Sequence, residues 1–226
     1  MANSVTAAPV SNARDEVILL HGLCHTSRSM AKIEGALADA GFKTRNVDYP
    51  SRTALIQKLA DDAIGKALAN CHQKGATKIH FVTHSLGGIL VRSYLARHAI
   101  PNLGRVVMLA PPNQGSEVVD KLGRLFIFKW LNGPAGNELG TDKNSTPNQL
   151  GPANFPVGII AGDRSINWIN SLLFISGRDD GKVSVERTKL AGMTDHLVVH
   201  ATHPLIVRHR EAIRQTIQFL RTGNFS

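Results

Sequence analysis

Hydrophobic positions along the chain fall into two kinds of stretch, short unbroken runs and longer segments with helical spacing. Residues 16–20, EVILL, form a compact apolar run of the kind that a strand buried on both faces requires. SRSMAKIEGALADAG follows, with Met30, Ile33, Leu37 and Ala40 on one helical face and Gly41 as a stop. FKTRNVDYP (42–50) reads as a second strand closed by Pro50, and TALIQKLADDAIGKALANC as an amphipathic helix with Leu55, Leu59, Ala63 and Leu68 along one side. KIHFVT (78–83) is a third strand. A helix then runs from Ser85 to about Ala99, ahead of Pro101, and RVVMLA (105–110) is a fourth strand.

The alternation breaks between residues 111 and 156, a stretch rich in Gly, Pro and Asn that holds LFIFKWL (125–131). It resumes with VGIIAG (157–162), an apolar segment LLFIS (172–176) that reads as the penultimate core strand, HLVVHA (196–201), and a last helix from about Leu205 to Arg221. Strands separated by helices imply βαβ units, hence an α/β fold with a mostly parallel central sheet flanked by helices. Residues 1–15 are small and polar and are expected to be a flexible segment; residues 16–226 are expected to form a single domain.

Composition narrows the function classes. With 42% hydrophobic and 19% charged residues the chain is an ordinary globule, and no run reaches the ~18 to 20 apolar residues of a membrane helix. The net charge of +9 raises the question of an anionic partner. The basic residues are scattered and only 5% of the chain is aromatic, which argues against nucleic acid; a solvated basic surface is the first expectation, and a field for anionic ligands or a weak contact with a membrane surface the second. The N-terminus does not read as an intact signal peptide, and the expectation is a cytoplasmic protein, or an exported one if a signal has been removed. Cys24 and Cys71 supply no disulfide framework, and unpaired thiols are expected.

One short stretch carries chemistry. KIHFVTHSLGG (78–88) runs up a strand and turns into a helix at Thr83-His84-Ser85-Leu86-Gly87, a sequence similar to the G-x-S-x-G nucleophile elbow. Such a turn needs small residues two before and two after the serine. Gly87 meets this and Thr83 departs from it, so the β-branched side chain is expected to crowd the turn. Upstream, LLHGL (19–23) ends the first strand with His-Gly. Together with APPNQGS (110–116), these motifs resemble those of compact bacterial lipases and esterases of the α/β-hydrolase superfamily, over residues 17 to 221.

The resemblance implies an α/β-hydrolase fold with a small cap or none, and hydrolysis of a carboxylic ester through an acyl-enzyme, with no metal and no organic cofactor; acyl transfer, thioester or amide hydrolysis on the same residues, and a non-catalytic binding protein of this fold, are the alternatives. It implies Ser85 as nucleophile and the backbone amides of Leu23 and Leu86 as oxyanion donors, with His21 structural. The acid comes next in chain order and the base last. Asp180, in the Asp-Gly turn of GRDDGKVSVE (177–186), is the expected acid; Asp179 is read as a solvated neighbour and Asp163 as the fallback, with Asp195 the remaining candidate. His203, in the loop before the last helix, is the expected base, chosen over His196, His200 and His209. A metal site on His196, His200 and His203 is the rival reading, unsupported by any second cluster. Arg28 with Ser27 and Ser29 either lines the mouth of the site or caps the helix.

Phe126, Phe128 and Trp130, with Leu125, are expected to wall an acyl site, joined by Trp168 of INWINSLL (166–173); the same side chains would equally serve as satellite core. The expected partner is a small-molecule or lipid ester, and the expected state a monomer or small homo-oligomer.

Overall fold

A computed structural model of the chain describes residues 14–122, 126–165 and 177–226, with the side chains of 122–131 outside that description. Six strands form one parallel sheet: β1 (Asp15–Leu20), β2 (Lys43–Val47), β3 (Lys78–His84), β4 (Leu103–Leu109), β5 (Val157–Gly162) and β6 (Asp195–Val199), in the order β2-β1-β3-β4-β5-β6. The helices are α1 (Ala31–Asp39), α2 (Ile56–Gln73), α3 (Leu86–Leu95), α4 (Glu117–Leu122), α5 (Phe126–Asn137), α6 (Thr146–Gln149), α7 (Val185–Thr188) and α8 (Arg210–Thr222).

The chain steps one way from β1 to β2 and then the other way to β3. Right-handed crossovers therefore send α1 to one face of the sheet and α2 to the other. The core divides accordingly. Ile18, Leu20, Phe81, Val106 and Met108 pack against residues of α2 and α3, while Val17, Leu19, Val82 and Val107 pack against residues of α1 and α8. Every residue of β1 is buried, which is why EVILL shows no polar alternation.

Several boundaries differ from the expectations. Helix α3 stops at Leu95, not Ala99, and the last helix begins at Arg210 after a separate 3-10 turn, Ile206–Arg208. Leu55, expected on the buried side of α2, is the residue before its first turn and is 56% exposed; Ile56, Leu59, Ala60 and Ala63 carry that face. Residues 172–176 lie outside the described residues, and β5 pairs directly with β6, so no strand separates them in the sheet. No disulfide joins Cys24 and Cys71; the buried Cys71 thiol donates to Glu16 Oε2 at 3.0 Å. Among the described residues no helix is long and apolar enough to cross a membrane.

Far from the carboxyl edge of the sheet, His80 is 2% exposed and accepts the Arg105 N–H at Nδ1, 2.9 Å away. Gly104 makes room for it, since a Cβ there would stand 2.6 Å from the ring. Burial lowers His80 to about 4, against the pull of Asp15. The unfolded chain binds a proton near pH 6.5 that the native state refuses until about pH 4, so stability is full above 6.5 and falls as pH drops through that window. His80→Asn, which keeps an acceptor for Arg105, is expected to remove about 2 kcal/mol of this loss between pH 7.5 and 5. Chemical denaturation of both proteins at pH 7.5 and 5 measures it; equal slopes would count against His80.

Candidate active site

The strand order reverses between β1 and β3, and their carboxyl ends open the crevice where parallel α/β sheets bind ligands. Ser85 stands there, between the end of β3 and the start of α3, with φ 50° and ψ −118°. A non-glycine residue in that conformation costs about 1–3 kcal/mol and persists only where the surroundings hold it. Here Ser85 N–H donates to Leu109 O at 2.9 Å, tying the turn to β4.

Two glycines let the turn approach the end of β1. A Cβ at Gly87 would lie 2.6 Å from Leu20 O and 3.0 Å from His21 O, and one at Gly22 would meet His84 Nδ1 at 2.9 Å. Thr83, expected to crowd the turn, is fully buried; its hydroxyl faces position 88, where a Cβ would come within 3.3 Å of Oγ1. Gly88 thus supplies the space that a smaller residue at 83 would leave.

Ser85 Oγ–H donates to His203 Nε2 at 3.0 Å, and His203 Nδ1–H donates to Asp180 Oδ2 at 2.7 Å. All three residues are buried, Ser85 the least at 9% exposed. Asp180 Oδ1 accepts the N–H groups of Lys182 and Val183 at 3.0 and 2.9 Å, and Asp180 O accepts His203 N–H at 2.9 Å. The carboxylate is therefore fixed at both oxygens. Gly162, at the end of β5, brings the two loops together: a Cβ there would lie 2.5 Å from Ala201 O and 2.9 Å from Asp180 Cβ.

His84 is a residue that sequence reasoning passed over. Its Nε2–H donates to His203 O at 3.0 Å, its ring centroid lies 4.9 Å from that of His203, and its buried Nδ1 has no partner. Burial, then the neighbouring His203, hold it well below the usual imidazole range. It braces the His203 backbone from the residue next to the serine. The only signal in the sequence is its adjacency to Ser85.

Leu86 opens α3, where helix geometry leaves the first N–H groups unpaired, and Leu23 lines the pocket over Ser85 with Val119, Leu139 and Val183. The Leu23 loop is held by His21, which stacks on Tyr49 at 4.1 Å, donates from Nδ1 to Gly22 O and accepts Tyr49 N–H at Nε2. Tyr49 O–H donates in turn to His21 O at 2.6 Å. His21 thus acts on the loop backbone.

The APPNQGS stretch ties the acid loop down. Asn113 Nδ2 donates to Thr188 O, Gln114 N–H to Arg187 O and Ser116 Oγ to Lys182 O. Asn113 is held by the buried Arg92 of α3, whose guanidinium donates to Asn113 O and Oδ1 and to Pro147 O and Gly151 O. Burial lowers Arg92 to about 10, so it stays charged at neutral pH.

The other candidates lie elsewhere. Asp163 pairs with Arg178 and with exposed His200, and His196 Nε2 reaches Thr188 Oγ1. His196, His200 and His203 thus have three separate partners, and among the described residues no group of His, Cys, Asp and Glu could hold a metal. Asp179 is buried, not solvated, with Oδ1 accepting Gly181 N–H. Asp195 Oδ2 accepts Phe225 N–H near the C-terminus. Neither Ser27 nor Ser29 caps a helix; Ser29 Oγ donates to Thr26 O, and Arg28 is exposed. Phe126, Phe128 and Trp130 fall on α5 with their side chains outside the described residues, as are Leu125 and Trp168 entirely.

The elbow's packing is testable by coupling. Gly87→Ala, which meets backbone at 2.6 Å, is expected to cost about 2–3 kcal/mol in any background. Gly88→Ala is expected to cost about 0.5–1 kcal/mol less when Thr83 is also alanine. Denaturant unfolding of the four-member cycle measures this, and additive costs at 83 and 88 would contradict the shared space.

Comparison with known proteins agrees with this architecture. No curated protein matches the chain. Its fold is similar to that of the mature lipase BlEst2 of Bacillus licheniformis, with a TM-score of 0.73 and 20% identity over 94% of this chain and 96% of that one. It is also similar to the phospholipase PlaB of Legionella pneumophila (TM-score 0.69, 16% identity, 93% and 60% covered) and to a metagenomic carboxyl esterase (0.66, 20%, 88% and 67%). The sequence model of the alpha/beta hydrolase family matches residues 17–215. A match that runs from the first strand into the last helix, on this six-stranded parallel sheet, makes the chain a member of the alpha/beta hydrolase family.

Proposed function

We propose that the chain is a serine hydrolase of carboxylic esters, acting through an acyl-enzyme on short- to medium-chain or lipid esters. One observation carries the reading: the unbroken hydrogen-bond chain from Ser85 Oγ through both nitrogens of His203 to Asp180. With Nδ1–H committed to Asp180, Nε2 presents a lone pair to the serine hydroxyl, the tautomer a general base needs. Ser85 Oγ attacks the ester carbonyl carbon while its proton passes to Nε2. The oxyanion forms against the N–H groups of Leu23 and Leu86, each worth about 10²–10³ in rate. The intermediate collapses, the C–O bond to the alcohol breaks, and Nε2 returns the proton to the leaving oxygen. Water, deprotonated by the same nitrogen, then releases the acid and regenerates Ser85.

The names of the structural neighbours, a lipase, a phospholipase and a carboxyl esterase, support ester chemistry. A small-molecule or lipid ester is the substrate in this reading, and the +9 charge favours weak contact with an anionic membrane surface. Hydrolysis of p-nitrophenyl esters of graded acyl length tests it. Ser85→Ala is expected to lower kcat/KM by about 10⁴-fold or more at every length the wild type accepts. A folded wild type with no activity, or a Ser85→Ala variant that keeps it, would contradict the proposal.

A further inference from the structure

The pocket over Ser85 has a one-sided charge. Its walls among the described residues include His25, His84, His203 and Lys182, and no carboxylate. This holds beyond the described residues in one respect: 1–13, 123–125 and 166–176 contain no Asp or Glu, and the charged residues of 122–131 are Arg124 and Lys129. Of the carboxylates next to pocket-lining residues in the chain, Glu117 pairs with Arg187, Asp120 accepts Thr141 N–H, and Glu138 accepts Ile56 N–H and Thr146 Oγ1–H, while Asp179 and Asp180 face inward. Asp180 is 2% exposed and bonded to His203 and to two backbone N–H groups, and Asp179 is 6% exposed with Oδ1 on Gly181 N–H.

Lys182 is held at its backbone and open at its side chain. Its N–H donates to Asp180 Oδ1 and its carbonyl accepts Ser116 Oγ–H, so its Cα is fixed between the acid loop and the APPNQGS loop. The residue itself is exposed and lines the pocket. Its charge is felt inside: after burial, Lys182 is among the groups that hold both His25 and His84 below the usual imidazole range, and no anion offsets it at either ring.

From this geometry we infer that Lys182 selects substrates carrying an anionic oxygen group, a carboxylate or a phosphate, near the scissile ester. The inference rests on the ester-hydrolase reading of the same site. A neutral ester meets the same serine and oxyanion donors but leaves the ammonium in water. An anionic ester adds one charge pair at the pocket mouth. An exposed charge pair is weak, and about threefold to fivefold in kcat/KM is what it supplies. The chain's net charge of +9 adds a long-range attraction of the same sign, which salt screens.

The test compares wild type, Lys182→Gln and Lys182→Arg on matched probes: p-nitrophenyl valerate against the p-nitrophenyl hemiester of glutaric acid, and a short-chain diacylglycerol against the corresponding phosphatidate. The first pair places a carboxylate on the acyl side, the second a phosphate on the alcohol side. The expected result is a loss of about threefold to fivefold in kcat/KM for at least one anionic probe in Lys182→Gln, under twofold for its neutral partner, and retention in Lys182→Arg. Raising NaCl should erode the preference more in wild type than in Lys182→Gln, where only the long-range attraction is left to screen. Equal losses on neutral and anionic probes, or none, would overturn the role of Lys182. A wild type that hydrolyses none of the four, or does so without Ser85, would instead defeat the ester-hydrolase reading.

Discussion

The close approach between the Ser85 turn and the end of β1 is the constraint on which the rest of the site depends. A left-handed serine at the head of a helix is unfavourable by itself, and it is held because three backbone surfaces enclose it. Leu109 O accepts its N–H, Leu20 O and His21 O press on Gly87, and Gly22 lies against His84 and the Ser85 side chain. The last two contacts require that a Cβ be missing, at Gly87 and at Gly22. The same compression brings the end of β1, with Gly22 beside His84 and Ser85, against the first turn of α3. Strain in the turn and the candidate oxyanion site therefore have one origin.

A second convergence delivers the histidine and the acid. β5 and β6 are adjacent and parallel, so the loops leaving their carboxyl ends emerge side by side, and Gly162 lets them touch. His203 is then held at three points: its ring by Asp180, its N–H by Asp180 O and its carbonyl by His84. Asp180 is in turn set by the turn that follows it, and that turn by Asn113 and Ser116, with Arg92 of α3 behind them. The helix that follows the serine thus also anchors the loop that holds the acid. This gives the APPNQGS stretch a physical reason: it couples two parts of the site that are distant in the chain.

Strand positions were legible wherever both faces are buried, because full burial leaves an unbroken apolar run; EVILL and VGIIAG are the clearest. The alternation of strands and helices carried the parallel sheet with it, and the order of Ser85, Asp180 and His203 along the chain was readable from motifs at loop ends. Helix ends were less so. Nothing local stops α3 at Leu95, and the residue that opens α2, Ile56, is marked by Glu138 Oε2 accepting its N–H from 82 residues away. The roles of His84, Gly162 and Arg92 were illegible for the same reason, since each acts across long sequence separations. Thr83 was expected to crowd the turn, and its accommodation beside Gly88 depends on three-dimensional packing.

The most direct measurement is covalent: intact-mass and peptide mapping of the protein treated with a fluorophosphonate, an electrophile that captures activated serines. The account predicts one adduct per chain, on Ser85, with labelling slowed by orders of magnitude in His203→Gln. No adduct on the folded protein, or an adduct on another residue such as Ser116, would contradict it.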